Sequence, residues 1–208
     1  IGRVRTNYRL LCEALGMDRE RVVLSRQVHQ DTVRVVTAAD AGKGLSRPRD
    51  YDGADGLVTD VPGLPLFVFS ADCITVLLHD PVRRAVGAVH AGWRGTALGI
   101  VKKAVETMTA AYGTDPGDLR AAIGPGIGPC CFETHGDVPE ALLAGMGEEA
   151  RPFIAPHGAE KFRVDLKGVN RRWLELAGVE RIEVCDLCTA CRGDLFWSHR
   201  RLGSRRGV

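Results

Sequence analysis

The sequence predicts a single domain of the α/β or α+β class, in which helices flank a mixed β-sheet. Three observations support this prediction. Short runs of apolar and β-branched residues recur along the chain, stretches of helical periodicity lie among them, and 208 residues with 45% hydrophobic content suffice for one core. Because strands and helices do not alternate strictly, the sequence leaves the topology of the sheet open.

Several stretches have the apolar spacing of an amphipathic helix. The first covers residues 7–17, in which three leucines share one face: Leu10, Leu11 and Leu15. The second opens at Gly95 and ends at Gly113, because glycine readily adopts the left-handed conformation of a C-cap. The third begins at Asp165, a good N-cap, and ends before Gly178.

Apolar and β-branched runs predict the strands. They lie at residues 22–24, 33–36, 66–78, 85–89, 120–124 and 181–184. A Gly/Pro/charged loop covers residues 38–53, and the turn HDPVRR at 79–84 separates two of the strands. A short turn between neighbouring apolar runs is typical of a hairpin, so we expect these two strands to pair.

Charge and composition exclude several classes of protein. The net charge of +2 is spread along the chain apart from a basic end at residues 200–208, which is too weak a signal for a nucleic-acid partner. No apolar run approaches 18 residues, so we expect no membrane span. The 7 cysteines are an odd number in a chain large enough to fold without cross-links, and no signal peptide is visible. We therefore expect free thiols and a cytoplasmic protein.

Three residues suggest a metal site. Cys73 and His90 lie at the ends of the two strands of the predicted hairpin, and His29 ends a third segment. A thiolate and two imidazoles form a Zn²⁺ ligand set whose fourth position is open to water or substrate. The spacing matches no short motif, so two other interpretations stay open: a buried thiol with a core histidine, and a cysteine hydrolase with Cys73 as nucleophile and His90 as base.

Further cysteines and one arginine have two interpretations each. Cys185, Cys188 and Cys191 resemble part of an iron–sulfur motif, but a fourth nearby ligand is missing and we expect no cluster. The turn GPGIGPCC at 124–131 is either an anion-binding nest or a tight strand-to-loop turn. Arg94 stands just before the second predicted helix, where it either binds an anion, which we favour, or forms a surface salt bridge.

Six motifs occur in an order that resembles a known family. They are QVH at 27–29, DGADGLVTD at 52–60, ADC at 71–73, HAGWRGT at 90–96, IGPGIGPCCFE at 123–133 and CTAC…LFWSHRR at 188–201. The chain is similar to the laccase-like polyphenol oxidases, also called the peptidoglycan-editing-factor family, whose human relative acts on purine nucleosides. The motifs span nearly the whole chain, and HAGWRGT and GPGIGPCC are long and unusual.

The resemblance implies a fold, a cofactor and an activity. It selects the α+β class, with an arrangement distantly shared with toxin-type cysteine hydrolases. It also implies that His29, Cys73 and His90 bind one zinc ion, for which copper substitutes in vitro. The implied substrates are purine nucleosides and phosphate: phosphorolysis of adenosine, inosine and methylthioadenosine to the base and a (methylthio)ribose 1-phosphate, and deamination of adenosine to inosine. The implied assembly is a monomer or homodimer.

The expected catalytic set is the three zinc ligands together with Arg94. Arg94 would neutralise phosphate charge next to the metal. Asp72 and Glu133 are the nearest acid/base candidates. A multicopper laccase is excluded, since it needs about ten histidines, largely in H-x-H pairs, whereas the chain has 6 histidines and no such pair. A single-copper oxidase activity and a non-enzymatic role in peptidoglycan quality control stay open.

The chain departs from the family pattern at two places. Thr75 stands two residues after the ADC cysteine, where family members usually have proline. Family members also begin with an additional strand that carries an arginine and a Gly-rich turn. Because this chain begins at Ile1 with the first helix, we expect the domain of residues 1–208 to lack that strand, and part of the substrate pocket to lie outside the sequence.

Overall fold

The computed structural model describes residues 2–203 of the chain, so residues 204–208 of the basic end lie outside the described part. Its helices are α1 (Gly2–Ala14), α2 (Trp93–Ala97), α3 (Ile100–Tyr112), α4 (Asp137–Met146), α5 (Leu166–Leu176) and α6 (His199–Leu202). Its strands are β1 (Val23–Leu24), β2 (Val33–Val35), β3 (Gly56–Thr59), β4 (Leu66–Phe67), β5 (Ile74–Asp80), β6 (Ala85–Ala91), β7 (Arg120–Ile123), β8 (Glu133–Thr134), β9 (Ile154–Pro156), β10 (Phe162–Val164) and β11 (Arg181–Val184). The α+β class is confirmed.

The main sheet is mixed, as predicted. Its six strands have the order β11-β7-β5-β6-β3-β2. The two outer pairs, β11 with β7 and β2 with β3, are parallel, and the inner pairs are antiparallel. Strands β5 and β6 form the predicted hairpin, in which Thr75 lies opposite His90. Two smaller sheets, β1-β4 and β8-β10-β9, lie beside it.

The core lies on one face of the main sheet, against α3 and α5. Alternate residues of β5 point to opposite faces, so Val76 and Leu78 are buried whereas Leu77 is 57% exposed. On the other face Leu57 of β3 packs in a second buried cluster, with Val23, Val36 and Leu64. The part of this face over β5 and β7 is open. It forms the wall of a cavity of about 1320 Å³ whose lining includes Leu77, Val86 and Arg120.

Two predicted elements are interrupted by residues of positive φ. The helix expected over 95–112 is divided into α2 and α3 at Gly99, which has a φ of 73° and whose Cα faces the Trp173 ring. The strand expected over 66–78 is divided into β4 and β5 around Asp72, with a φ of 100°. A left-handed residue cannot continue either a helix or a strand, so both predictions were wrong about continuity.

The first helix differs in its bounds and in its buried face. It covers Gly2–Ala14 rather than 7–17, and the three leucines that share one face are exposed by 46–56%. Its single buried residue is Cys12, which packs with Val22, Leu24 and Tyr8. No helix among residues 2–203 has both the length and the apolar character that crossing a membrane requires.

Candidate metal centre

The hairpin of β5 and β6 brings Cys73 and His90 together. In the antiparallel register Ile74 lies opposite Ala91, so Cys73, just before β5, faces the residues that follow β6. Gly92 lies between the two side chains. A Cβ atom at Gly92 would lie 3.4 Å from the Cys73 sulfur and 3.0 Å from His29 Cδ2, so the backbone passes directly over the site.

Asp55, to which the sequence assigned no role, binds the His90 side chain and the backbone of His29. Strand β3 pairs with β6 so that Gly56 faces Val89, which places Asp55 beside His90. The fully buried Asp55 carboxylate accepts a hydrogen bond of 2.8 Å from His90 Nδ1. It also accepts bonds from the backbone N–H groups of Val28, His29 and Gln30, at 2.9, 3.0 and 3.2 Å. These bonds hold the loop in which His29 has a φ of 60°.

His29, Cys73 and His90 form one compact group, as the resemblance implied. Their potential ligand atoms all lie within 4.8 Å of one another, and the two imidazole rings are perpendicular with centroids 4.9 Å apart. Because Nδ1 of His90 is engaged by Asp55, its Nε2 is the atom left to bind a ligand. Two imidazoles and a thiolate at this spacing fit the ligand set of Zn²⁺, so the group could hold a metal ion.

The charges within the group support one another. Burial raises the pKa of the Cys73 thiol, but His29 and His90 outweigh burial and lower the pKa to about 7. Burial also disfavours protonated His90, yet Asp55 and Cys73 raise the pKa of this imidazole to about 9. Burial opposes ionisation of Asp55 as well, and its bonds with His90 and the loop N–H groups keep its pKa below the ordinary value. A thiolate is therefore accessible near neutral pH.

The group opens into a cavity of about 500 Å³, a volume typical of small-molecule sites. The wall combines aromatic rings with basic side chains: Phe69, Trp93, Phe132, Arg94, His199 and Arg200. The larger cavity on the open sheet face includes none of the three grouped side chains. The smaller cavity is therefore the candidate active site.

Arg94 lies in this cavity wall, at the second position of α2 rather than just before a helix. Its guanidinium stacks on Trp93, with Cζ 4.1 Å from the ring centroid. Within residues 2–203 no carboxylate pairs with Arg94, so its charge is available to an anion. The short α2 thus contributes to the cavity by placing the Arg94 side chain in its wall.

The two acid/base candidates are engaged elsewhere. Asp72 lines the cavity, but its carboxylate accepts hydrogen bonds of 2.7 Å from both Thr189 Oγ1 and the backbone N–H of Arg200. Glu133 lies outside the cavity wall and forms an ion pair of 2.6 Å with Lys161. The structure therefore does not bring Glu133 to the His29–Cys73–His90 group, called the metal group below. Asp72 instead holds the C-terminal segment.

His199 and Arg200 are cavity residues that the sequence analysis missed. Both lie in the quoted motif LFWSHRR, but a motif alone does not show which of its side chains reach the site. The link from Asp72 to the backbone of Arg200 brings this segment to the cavity across 128 positions of the chain.

The cysteines of the C-terminal part are grouped differently from the iron–sulfur-like spacing. Cys188 and Cys191 lie together with Cys130 and Cys131, whereas Cys185 is outside this group. The GPGIGPCC turn thus contributes two of the four grouped cysteines. None of the seven cysteines is joined in a disulfide in the described residues.

A mixed-sheet α+β fold with a His–Cys–His group in an aromatic and basic cavity defines the class of this protein. The chain belongs to the family described as multi-copper polyphenol oxidoreductase laccase, whose pattern matches residues 2–208. This confirms the resemblance.

Curated relatives and solved structures agree with this assignment. The chain is 38% identical over 204 residues to the purine nucleoside phosphorylase YlmD of Geobacillus stearothermophilus, covering 95% of this chain and 73% of that protein. It is 32% identical over 200 residues to adenosine deaminase RL5 of an unknown prokaryotic organism, covering 95% and 76%. The crystal structure of the Bacillus licheniformis hypothetical protein YfiH superposes with a TM-score of 0.87 at 38% identity, covering 95% of this chain and 75% of that one.

Proposed function

We propose that this chain is a zinc-dependent enzyme of purine nucleosides, which cleaves adenosine, inosine and methylthioadenosine with phosphate and also deaminates adenosine. The observation that carries the proposal is the group of His29, Cys73 and His90 at a cavity that also contains Arg94, an arginine that pairs with no carboxylate of the described residues. The names of the relatives, purine nucleoside phosphorylase and adenosine deaminase, support the same substrate class.

Zinc is the metal that this ligand set favours. His29, Cys73 and His90 Nε2 would bind it, with Asp55 orienting His90 through Nδ1. When bound, Zn²⁺ supplies a Lewis acid that polarises an oxygen of phosphate or water. The 6 histidines of the chain contain no H-x-H pair and are too few for a multicopper centre.

The cavity wall has separate groups for the purine base and for the phosphate. Phe69, Trp93 and Phe132 present apolar rings, on which a purine base can stack. Arg94 presents a guanidinium that matches the geometry of phosphate oxygens. The cavity of about 500 Å³ is large enough for a nucleoside together with phosphate.

Both reactions deliver an oxygen nucleophile to the bound nucleoside. In phosphorolysis a phosphate oxygen bonds to C1′ of the ribose, and the glycosidic bond breaks with its electron pair passing to the purine, which takes up a proton. In deamination the oxygen of water bonds to C6 of adenosine and ammonia leaves. Arg94 binds and neutralises phosphate in the first reaction, and in the second the same cavity orients the base.

The direct test is product analysis of the purified chain. Adenosine, inosine and methylthioadenosine are incubated with and without phosphate, and the free base and inosine are separated by chromatography. Phosphate-dependent release of base from zinc-loaded protein, lost on chelation and in Cys73→Ala, is the expected result. Base release that persists in Cys73→Ala would contradict the proposal.

Arg94→Ala should weaken phosphate binding more than nucleoside binding. Loss of a charged hydrogen-bond donor to phosphate is expected to raise the KM for phosphate by about 10–100-fold. Arg94→Lys should recover part of this loss, since lysine keeps the charge but not the planar donor pair. Arg171→Ala, on the exposed surface of α5, is the matched control. An unchanged KM for phosphate in Arg94→Ala would remove Arg94 from this role.

One observation also favours a cysteine hydrolase. In space, Cys73 lies next to His90 and His90 is bonded to Asp55, which is the arrangement of a nucleophile, a base and an orienting carboxylate. Iodoacetamide distinguishes the two functions. A hydrolase would lose activity on alkylation of metal-free protein and would be active without added zinc, whereas the zinc enzyme is active only with metal, and bound zinc should protect Cys73.

A further inference from the structure

A second sulfur-rich group lies outside the candidate active site. The Sγ atoms of Cys130, Cys131, Cys188 and Cys191 all lie within 4.8 Å of one another. The sulfur of Cys191 is 3.6 Å from that of Cys130 and 3.4 Å from that of Cys131. Four thiols grouped this closely, from two separate segments of the chain, are typical of a metal site.

The main sheet brings the two pairs of cysteines together. Strands β7 and β11 are parallel neighbours, so the loops that follow them leave the sheet at the same edge. A bridge between Gly126 and Cys188 continues this pairing, and the N–H of Thr189 donates to the carbonyl of Gly126 at 3.1 Å. The grouping is thus a consequence of the fold, across some sixty positions of sequence.

The sulfur spacing is that of a metal site. Four thiolates around Zn²⁺ at about 2.3 Å would lie about 3.8 Å from one another in a tetrahedron, close to the separations seen here. A disulfide would require about 2.05 Å between two sulfurs, and it would leave the other two cysteines without a function. Cys188–Cys191 also has the C-x2-C spacing of zinc-binding loops.

A backbone N–H group points at the Cys188 sulfur. The N–H of Gly128 donates to Cys188 Sγ at 3.2 Å. A Cβ at Gly128 would lie 3.3 Å from both Cys130 Sγ and Cys188 Cβ, so a glycine permits this close approach. N–H groups that surround a ligand sulfur are the usual outer contacts of metal-bound cysteine.

We propose that Cys130, Cys131, Cys188 and Cys191 bind a Zn²⁺ ion as a structural tetrathiolate site, separate from the His29–Cys73–His90 group. All four coordination positions are filled by protein, so this ion holds the structure and offers no position to a substrate. Soft thiolate ligands select Zn²⁺ over Mg²⁺ or Ca²⁺, and cysteine in all four positions distinguishes the site from the mixed group at Cys73.

The role of this ion is to fasten the loop that forms one wall of the candidate active-site cavity to the loop that follows β11. Ile127 and Phe132 flank the Cys130–Cys131 pair and line the cavity. On the other loop Thr189, next to Cys188, donates to Asp72 at 2.7 Å, one residue before Cys73. Loss of the ion should therefore loosen the wall without removing a ligand of the first metal group.

The test counts zinc in protein whose first metal group has been removed. The double variant His29→Ala/Cys73→Ala is purified under reducing conditions, and its zinc content is measured by inductively coupled plasma mass spectrometry. About one zinc ion per chain is expected to remain, and X-ray absorption should give about four sulfur neighbours at about 2.3 Å. Further substitution of Cys188→Ser and Cys191→Ser should remove this zinc, whereas Cys185→Ser, in the same segment but outside the group, should keep it.

Stability gives a second measurement. Cys188→Ser/Cys191→Ser in the otherwise unchanged chain should lower the midpoint of thermal unfolding by roughly 5–10 °C, and Cys185→Ser should change it little. Two results would overturn the proposal: folded, reduced His29→Ala/Cys73→Ala protein without zinc, or a disulfide among the four cysteines in the purified protein, detected as two missing thiols. Because the zinc count is made without the first metal group, it does not depend on the proposed nucleoside activity.

Discussion

Asp55 is the residue on which the geometry of the metal group most directly depends. Its buried carboxylate binds His90 Nδ1 and three consecutive N–H groups of the His29 loop. One side chain thus sets the orientation of one histidine and the backbone of the other. A carboxylate behind a ligand histidine also fixes its tautomer and raises its basicity.

Asp55→Asn should lower the affinity for zinc without removing a ligand. The amide keeps the shape of the side chain but loses the charge and one acceptor, so we expect a loss of about 10–100-fold, measured by competition with a chromophoric chelator. Asp52→Asn is the matched control, because Asp52 lies in the same motif with a side chain 86% exposed. Equal affinities for Asp55→Asn and the unchanged chain would show that Asp55 serves the fold alone.

The sequence could single out the three candidate ligands but not the carboxylate that supports them. His29, Cys73 and His90 stand in motifs that the resemblance connects with zinc. Asp52 and Asp55 lie three positions apart in the same motif, DGADGLVTD, and have the same chemistry. The pairing of β3 with β6 decides between them, because it buries Asp55 beside His90 and leaves Asp52 exposed.

At the scale of elements, the loop of residues 38–53 is held by a buried carboxylate. Asp40, 3% exposed, lies in a short 3₁₀ turn and accepts bonds from Lys43 Nζ at 2.7 Å, Arg34 Nη2 at 3.0 Å and the N–H of Thr37 at 2.8 Å. Burial opposes ionisation of Asp40, but these donors outweigh it and hold the pKa of the carboxyl well below its ordinary range. The loop was predicted from its composition, whereas this ion pair was not.

Asp40 should make the stability of the fold fall in acid. Because its pKa is lower in the folded chain, its contribution is fully present above the unfolded value of about 4 and is lost as pH falls below it. Asp40→Asn should reduce the free energy of unfolding by roughly 1–3 kcal/mol at neutral pH. Urea titrations at several pH values should show this difference shrinking below about pH 4; a constant difference would contradict the ionic role.

Other elements were mispredicted because their bounds depend on contacts with distant parts of the chain. Gly99 looked like one position within a helical period, and its left-handed φ became visible only where α2 and α3 meet Trp173. Strand β3 was missed because it has four residues and begins with glycine, a weak strand former. Its place in the sheet depends on pairing with β2 and β6 rather than on its own composition.

At the scale of the molecule, the two faces of the main sheet are buried to different extents. The face that packs on α3 and α5 is buried, whereas the opposite face is covered over β3 by a second cluster and is open over β5 and β7 to a cavity larger than the one at the His29–Cys73–His90 group. Size alone would therefore select the wrong cavity. The grouping of ligands and the unpaired Arg94 identify the smaller one.

Two neighbouring leucines of β5 test the difference in burial between the two faces of the sheet. Leu78→Ala removes a side chain that is 2% exposed in the core and should reduce the free energy of unfolding by about 2–5 kcal/mol. Leu77→Ala, the matched control on the open face, should reduce it by less than about 1 kcal/mol. Urea unfolding followed by circular dichroism measures both. Similar losses for the two variants would mean that the open face is covered in solution.

Local patterns in the sequence were enough for the hairpin that joins Cys73 to His90 and for the short motifs that identify the family. These features depend on residues a few positions apart, whose periodicity and turn chemistry act directly on the backbone. Only the tertiary structure placed Asp55 behind His90 and joined Cys130 and Cys131 to Cys188 and Cys191. Such contacts arise from the register between distant strands, which is set by the packing of the whole sheet and not by any short segment.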